Sequence, residues 1–247
     1  MAASRGGCGK LVWTSTTLSG TQGTDATRVG TITLSSGEQV TVTVREHRTG
    51  GQPGRKIDSG QQHTPTYGDF SATSAGSQQA WANGLTRDQS TKYVVTSCTT
   101  KSVFTLNQGT SSSADGTTRG SETLTFSFAS STGKALTPVS ISFNAYDITS
   151  QQTNQNNAAY YTDQLSFIGA TATYGTAAGT PKTYVTTTTS ISSTGTNTSP
   201  TSGNYIPITL KPSSATPSIT YANVSTTPLV AGSNFQYVGI GEVTICF

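Results

Sequence analysis

Three carboxylates stand out in this 247-residue chain: Glu122 in SETLTFSF, Asp147 in SFNAYDITS and Asp163 in YYTDQLSFIG. Only eleven residues are acidic, yet these three continue runs of apolar positions. Strand side chains alternate faces, so residues two apart share one. Leu124, Phe126 and Phe128 are in phase with Glu122. Val139, Ile141, Phe143 and Ala145 lead in phase to Asp147, and Tyr161, Leu165 and Phe167 share the phase of Asp163. An ionised carboxylate turned inward must be paired, hydrogen-bonded or bound to metal, because burying it bare costs several kcal/mol.

Three chemistries answer that requirement. The acids accept backbone N–H groups or meet an arginine such as Arg119, which is a purely structural outcome. Alternatively, Glu122, Asp147 and Asp163 hold Ca²⁺, with side-chain carbonyls of Asn154, Asn156 and Asn157 in the following loop completing an oxygen shell. The third is an acid/base pair of a glycoside-cleaving enzyme, which needs two carboxylates across a cleft; nothing in the sequence sets such a separation. Other catalytic signals are thin. His47 and His63 are read as solvated loop residues with no Ser-centred elbow near them, so no hydrolase triad is expected. A sugar platform is a further candidate, since aromatic faces stack on pyranose rings while the amides of Asn154, Asn156 and Asn157 bond hydroxyls. Tyr160 lies out of phase with the buried face and Trp81 in a loop, so these two are its candidates, whereas Trp13 and Tyr161 read as core.

The elements that must position these residues are strands. TRVGTITL (27–34) and QVTVTVRE (39–46) flank a hairpin loop, SSGE. Further alternating runs lie at 92–99, 101–106, 122–129, 138–148, 160–169, 170–175, 182–189, 204–210, 218–224 and 235–247. About a dozen strands at this spacing predict an all-β fold, an antiparallel β-sandwich of jelly-roll type with long polar loops. Helical periodicity is confined to SQQAWANGL (77–85). The stretch 190–203, SISSTGTNTSPTSG, has linker composition, but the strands after it are too few for a core of their own. One domain over 1–247 is therefore expected, with 1–10 as a flexible N-terminal segment.

Composition bounds the role. About a third of the residues are Ser or Thr and only 10% are charged, a balance common in extracellular β-rich proteins. The net charge of +3 is dispersed, densest at REHR (45–48) and GRK (54–56), and forms no basic stripe with interleaved aromatics, so no nucleic-acid partner is expected. REHR is read as a solvated loop. No window resembles a membrane-spanning helix, so no membrane insertion is expected, and MAASRGGCGK lacks the apolar segment of a secretory leader. An exported protein from which the leader has been removed accounts for both. The three cysteines, Cys8, Cys98 and Cys246, have no metal-ligand spacing. One disulfide and one thiol is the simplest oxidised state, with Cys8–Cys246 the preferred of three pairings and three reduced thiols the alternative. Sequons occur at Asn197 and Asn223.

The succession ETLTFSF, TPVSISFNAYDI, YYTDQLSFIGA and FQYVGIGEVTICF resembles a β-sandwich module of bacterial, actinobacterial-type surface and secreted adhesin-like proteins. It departs from that pattern at Thr149, where the module often carries a second Asp. The resemblance implies a surface-exposed adhesive or carbohydrate-associated role. The expectation is therefore a non-enzymatic extracellular domain that binds a glycan or a host or cell-surface protein through its loops. A purely structural stalk or shell module is the alternative, and a glycoside-cleaving enzyme the second.

Overall fold

Residues 6–13, 18–20, 25–49, 104–107, 121–146, 148–151, 161–177, 183–194, 205–225 and 237–247 are described by a computed structural model. Among them every regular element is a strand. The alternation that defines them is clearest in β6 (Ser121–Ser130), where Glu122, Leu124, Phe126 and Phe128 point inward and Thr123, Thr125 and Ser127 outward. Each large apolar side chain so buried contributes about 1.5–3 kcal/mol relative to exposure.

Eight strands form the frame: β5 (Phe104–Asn107), β6, β8 (Ser140–Tyr146), β10 (Tyr161–Ile168), β13 (Ser190–Thr194), β14 (Tyr205–Pro212), β15 (Ser218–Asn223) and β16 (Tyr237–Ile240). Taken as first to eighth, one sheet reads first, eighth, third, sixth (β5-β16-β8-β14). The other reads second, seventh, fourth, fifth (β6-β15-β10-β13). Two interlocked Greek keys produce this order, so the antiparallel sandwich is a jelly roll.

Additional strands widen the frame. β17 (Val243–Cys246) continues β16 along β8. Ile240 faces Ala145 and Thr244 faces Ser142, so four steps on the last strand span three on β8, a bulge at Gly241–Glu242. β1 (Cys8–Leu11) pairs with β17 as β5 pairs with β16, so the two short strands flank successive parts of the last one. β11 (Ala170–Tyr174) adds to β14. On the other sheet β4 (Gln39–Thr49), β3 (Asp25–Thr33) and β2 (Leu18–Gly20) extend outward from β6, and β12 (Thr183–Thr186) closes the opposite end beside β13. The short strands β7 (Ala135–Leu136) and β9 (Ser150–Gln151) pair with β6 and β10. The chain changes sheets between β10 and β11 at Gly169, whose φ of +69° and whose distance of 2.8 Å from a built Cβ to Ser214 Cβ both demand glycine.

Both sheets contribute to one apolar core, from Val40, Val42, Phe126, Leu165 and Ile219 on one side to Ile141, Phe143, Ile208, Ile240 and Ile245 on the other. Trp13 lies in it as expected, its ring 4.8 Å from that of Phe104 and its indole N–H donating to the Gly241 carbonyl at 2.7 Å.

Several expectations are corrected here. Residues 8–10 belong to β1 rather than to a loose segment, held by three of the four register pairs of β1 with β17. The linker-like stretch opens with β13, whose Ile191 is fully buried. REHR is part of β4 rather than a loop, with Arg45 and His47 exposed and Glu46 turned inward. Val139 precedes β8 and is 63% exposed, so the inward run begins at Ile141. The expected strand at 92–99 and helical turn at 77–85 lie outside the described residues.

Candidate functional site

A band of polar side chains crosses the inner face of the larger sheet at one end. It comprises Arg28 on β3, Glu46 on β4, Glu122 on β6, Tyr221 and Asn223 on β15, Asp163 on β10 and Ser193 on β13, all buried. Strand phase places each of them, since each continues the alternation of its strand's apolar residues. Tyr221 stands directly opposite Glu122 and Leu165, and Asp163 opposite Asn223. Two of the expected site residues, Glu122 and Asp163, therefore share one concealed face. Asp147, Asn154, Asn156, Asn157, Tyr160 and Trp81 lie outside the described residues, as do Arg119, His63, Cys98 and Asn197.

Asp163 is 1% exposed. Its Oδ2 accepts the Thr149 backbone N–H at 2.9 Å and the Thr149 hydroxyl at 3.2 Å, and its Oδ1 accepts the Tyr221 hydroxyl at 2.8 Å. Its own N–H donates to the Thr149 carbonyl at 2.9 Å. Thr149 thus supplies two donors to the carboxylate. Three donors to one carboxylate satisfy it within the chain.

Arg28 and Glu46 form a fully buried ion pair, Nη1 to Oε2 at 2.7 Å, with the guanidinium carbon 5.3 Å from the Phe104 ring centroid. Cation–π attraction to that ring adds to the pairing. Sequence reasoning passed over both residues, although the signal that exposed Glu122 was present for them: Arg28 is in phase with Ile32, and Glu46 with Val40, Val42 and Val44.

Asn223 is 4% exposed, and its Oδ1 accepts the N–H groups of Thr162 and Ser225, each at 3.0 Å. A glycan cannot be carried there in the folded state, so that sequon is closed by burial. Ser150 and Ser193 hydroxyls meet at 3.2 Å, joining β9 to β13.

Among the described residues no group of three or more His, Cys, Asp or Glu side chains is arranged to hold a metal ion, and no helix is long and apolar enough to cross a membrane. The preferred disulfide is present: Cys8 and Cys246 face each other across β1 and β17, with Cα atoms 4.0 Å apart. No protein-family model, curated protein or solved structure matches this chain.

Proposed function

We propose that the chain is a structural subunit, a jelly-roll building block of a shell or surface layer, and that it performs no chemistry of its own. The observation that carries this reading is the strand order, first-eighth-third-sixth against second-seventh-fourth-fifth. That architecture serves shell subunits, sugar-binding domains and metal-dependent cupins. The step from architecture to role is an analogy, and side-chain chemistry narrows it. Cupin chemistry needs a ligand set facing the interior, whereas the inward carboxylate of Asp163 is occupied by Thr149 and Tyr221 and that of Glu46 is paired with Arg28. A disulfide between first and last strands suits a protein that functions in an oxidising setting, such as a particle or cell surface. Adhesion through the loops, with Trp81, Tyr160 and the Asn154–Asn157 amides as contacts and Ca²⁺ as a helper, is the competing proposal.

Light scattering and negative-stain microscopy of the purified, oxidised chain test the reading. Discrete particles, arrays or regular oligomers are expected. A chain that stays monomeric at every soluble concentration while giving saturable hits on a glycan array would replace the shell reading with the adhesive one. A rise in melting temperature with millimolar Ca²⁺, reversed by chelator, would bring in the metal site, because a ligand selective for the folded state raises stability by mass action.

A further inference from the structure

We infer that Asn223 is a modification site open only in the unfolded chain, and that the protein therefore forms its disulfide outside any compartment that attaches N-glycans. The inference stands apart from the shell reading and concerns where the chain can fold. The run Asn223, Val224, Ser225 is an N-glycosylation acceptor by sequence. Transfer joins Asn223 Nδ2 to the anomeric carbon of a lipid-linked oligosaccharide. The anomeric bond to the diphosphate breaks, the lipid diphosphate leaves, and the amide gives up one proton.

The fold holds that nitrogen where no sugar can follow. Asn223 ends β15 opposite Asp163 on β10; it is 4% exposed, and Nδ2 itself is buried. Its Oδ1 accepts the N–H groups of Thr162 and Ser225, and the Thr162 carbonyl accepts the Val224 N–H at 2.9 Å. Turning the amide over would bring Nδ2 round to the position of Oδ1, where its own N–H groups would confront two N–H donors. An interior packed to the density of an organic crystal has no room for a pyranose ring on the buried side. Ser225, whose hydroxyl the transferring enzyme must also recognise, is 6% exposed. Only a chain whose β15 has left β10 presents both groups.

Chain order keeps them presented until late. Asn223 meets Thr162 across 61 positions, and Thr220 on the same strand meets Thr123 of β6 across 97, so neither neighbour is local. β16 and β17, which lie beside β8 in the opposite sheet, are made after Asn223. The core cannot close around the sequon before they are available, and sandwiches built on such non-local pairs fold slowly, on the order of milliseconds to seconds. A glycan added in that interval withdraws the chain from the folding equilibrium irreversibly, as proteolysis of an unfolded state does. The oxidising setting that suits the Cys8–Cys246 bond is thus one without such transfer, such as a bacterial periplasm.

Secretion from cultured animal cells behind a supplied leader tests the inference, with the chain made unglycosylated in bacteria as the reference for melting temperature. Three chains are compared with and without tunicamycin: wild type, Ser225→Ala, which removes the acceptor, and Ser225→Thr, which strengthens it. Amounts are taken relative to a co-secreted protein that has no sequon, and peptide mass spectrometry tells a glycan at Asn223 from one at Asn197. Wild type is expected to yield severalfold less folded, secreted protein than Ser225→Ala, and Ser225→Thr the least. Glycan at Asn223 is expected only in retained chains, and tunicamycin to level the three. If Ser225→Ala fails to fold, the response of wild type to tunicamycin and the state of Asn223 in its retained chains decide. Secreted, disulfide-bonded wild type that carries a glycan at Asn223 and melts at the reference temperature overturns the exclusion. Asn223 left unmodified in retained and secreted chains alike shows that folding outruns transfer, and overturns the assignment of compartment.

Discussion

At the residue scale, the interior polar band decides how costly each single change is. Breaking a buried ion pair leaves an uncompensated charge, at about 3–5 kcal/mol, whereas replacing both partners by apolar groups of similar volume is often neutral. Glu46→Ala is therefore expected to lower the unfolding free energy by about 3–5 kcal/mol, and the double change Arg28→Met with Glu46→Leu to recover most of it. Urea denaturation of wild type and the two variants checks this, and a double variant as unstable as the single one would show that the pair acts through more than its charges. Asp163→Asn leaves one amide to face three donors, and its NH₂ group can accept none of them. Hydrogen bonds to a charged acceptor contribute about 1.5–3 kcal/mol each, so a loss of at least that size is expected, with Tyr221→Phe losing less because it removes a single donor. If Ca²⁺ instead held Asp163, chelator would reproduce the effect of Asp163→Asn in the wild type. The inward placement of Glu122 and Asp163 was legible from strand phase alone. Thr149 as the partner of Asp163 was not, because the bond joins a loop residue to a strand fourteen positions later, and phase carries no information across a loop.

At the element scale, strands with several apolar residues on one face were legible almost to the residue, as in β6, β10 and the β3–β4 hairpin with its Leu34–Glu38 turn. Those with a single apolar anchor were not: β13 rests on Ile191 within a run of Ser and Thr, and β1 has Leu11 and buried Gly9, to which a hydropathy pattern assigns no face. Their pairing comes from neighbours and not from their own sequence. The sheet change after β10 is of that kind, and Tyr174 secures it by donating its hydroxyl to the carbonyls of Thr187 and Ser190 at 2.8 and 2.7 Å. Burial pushes the Tyr174 hydroxyl up to about 12. Since this lies above the ordinary value of about 10 for an unfolded chain, the stabilisation is fully present below pH 10 and is lost as pH rises through about 12. The stability difference between wild type and Tyr174→Phe is thus expected to be constant from neutral pH to about 10 and to shrink above it. Denaturation series at stepped alkaline pH measure this difference directly, and a gap that stays constant to the highest pH would show that the hydroxyl is not what ties β11 to the β12–β13 turn.

At the scale of the whole molecule, the jelly roll brings the ends of the chain together, and the disulfide makes that meeting covalent across 238 positions. The frame alone pairs the last strand with β5 and β8. β1 is an addition beside it, four residues long, and its folded state competes with the entropy of a free end. Cross-linking removes that freedom from the unfolded ensemble, by about 5 kcal/mol in the chain-entropy treatment for so long a loop. Two consequences separate global from local effects. Cys8→Ser is expected to lower the unfolding free energy by up to about 5 kcal/mol while leaving both sheets folded. Amide exchange in the Cys8–Leu11 strand is expected to rise well above that in β8 and β17, because β1 can then detach without unfolding its neighbours. Trp13 opposes that detachment, since its ring is buried against Phe104 and its indole is bonded to Gly241. The combined Cys8→Ser and Trp13→Ala variant should therefore lose β1 protection altogether. Protection of β1 that equals that of β8 in Cys8→Ser would show that packing alone holds the first strand, and that the disulfide acts only on the unfolded chain.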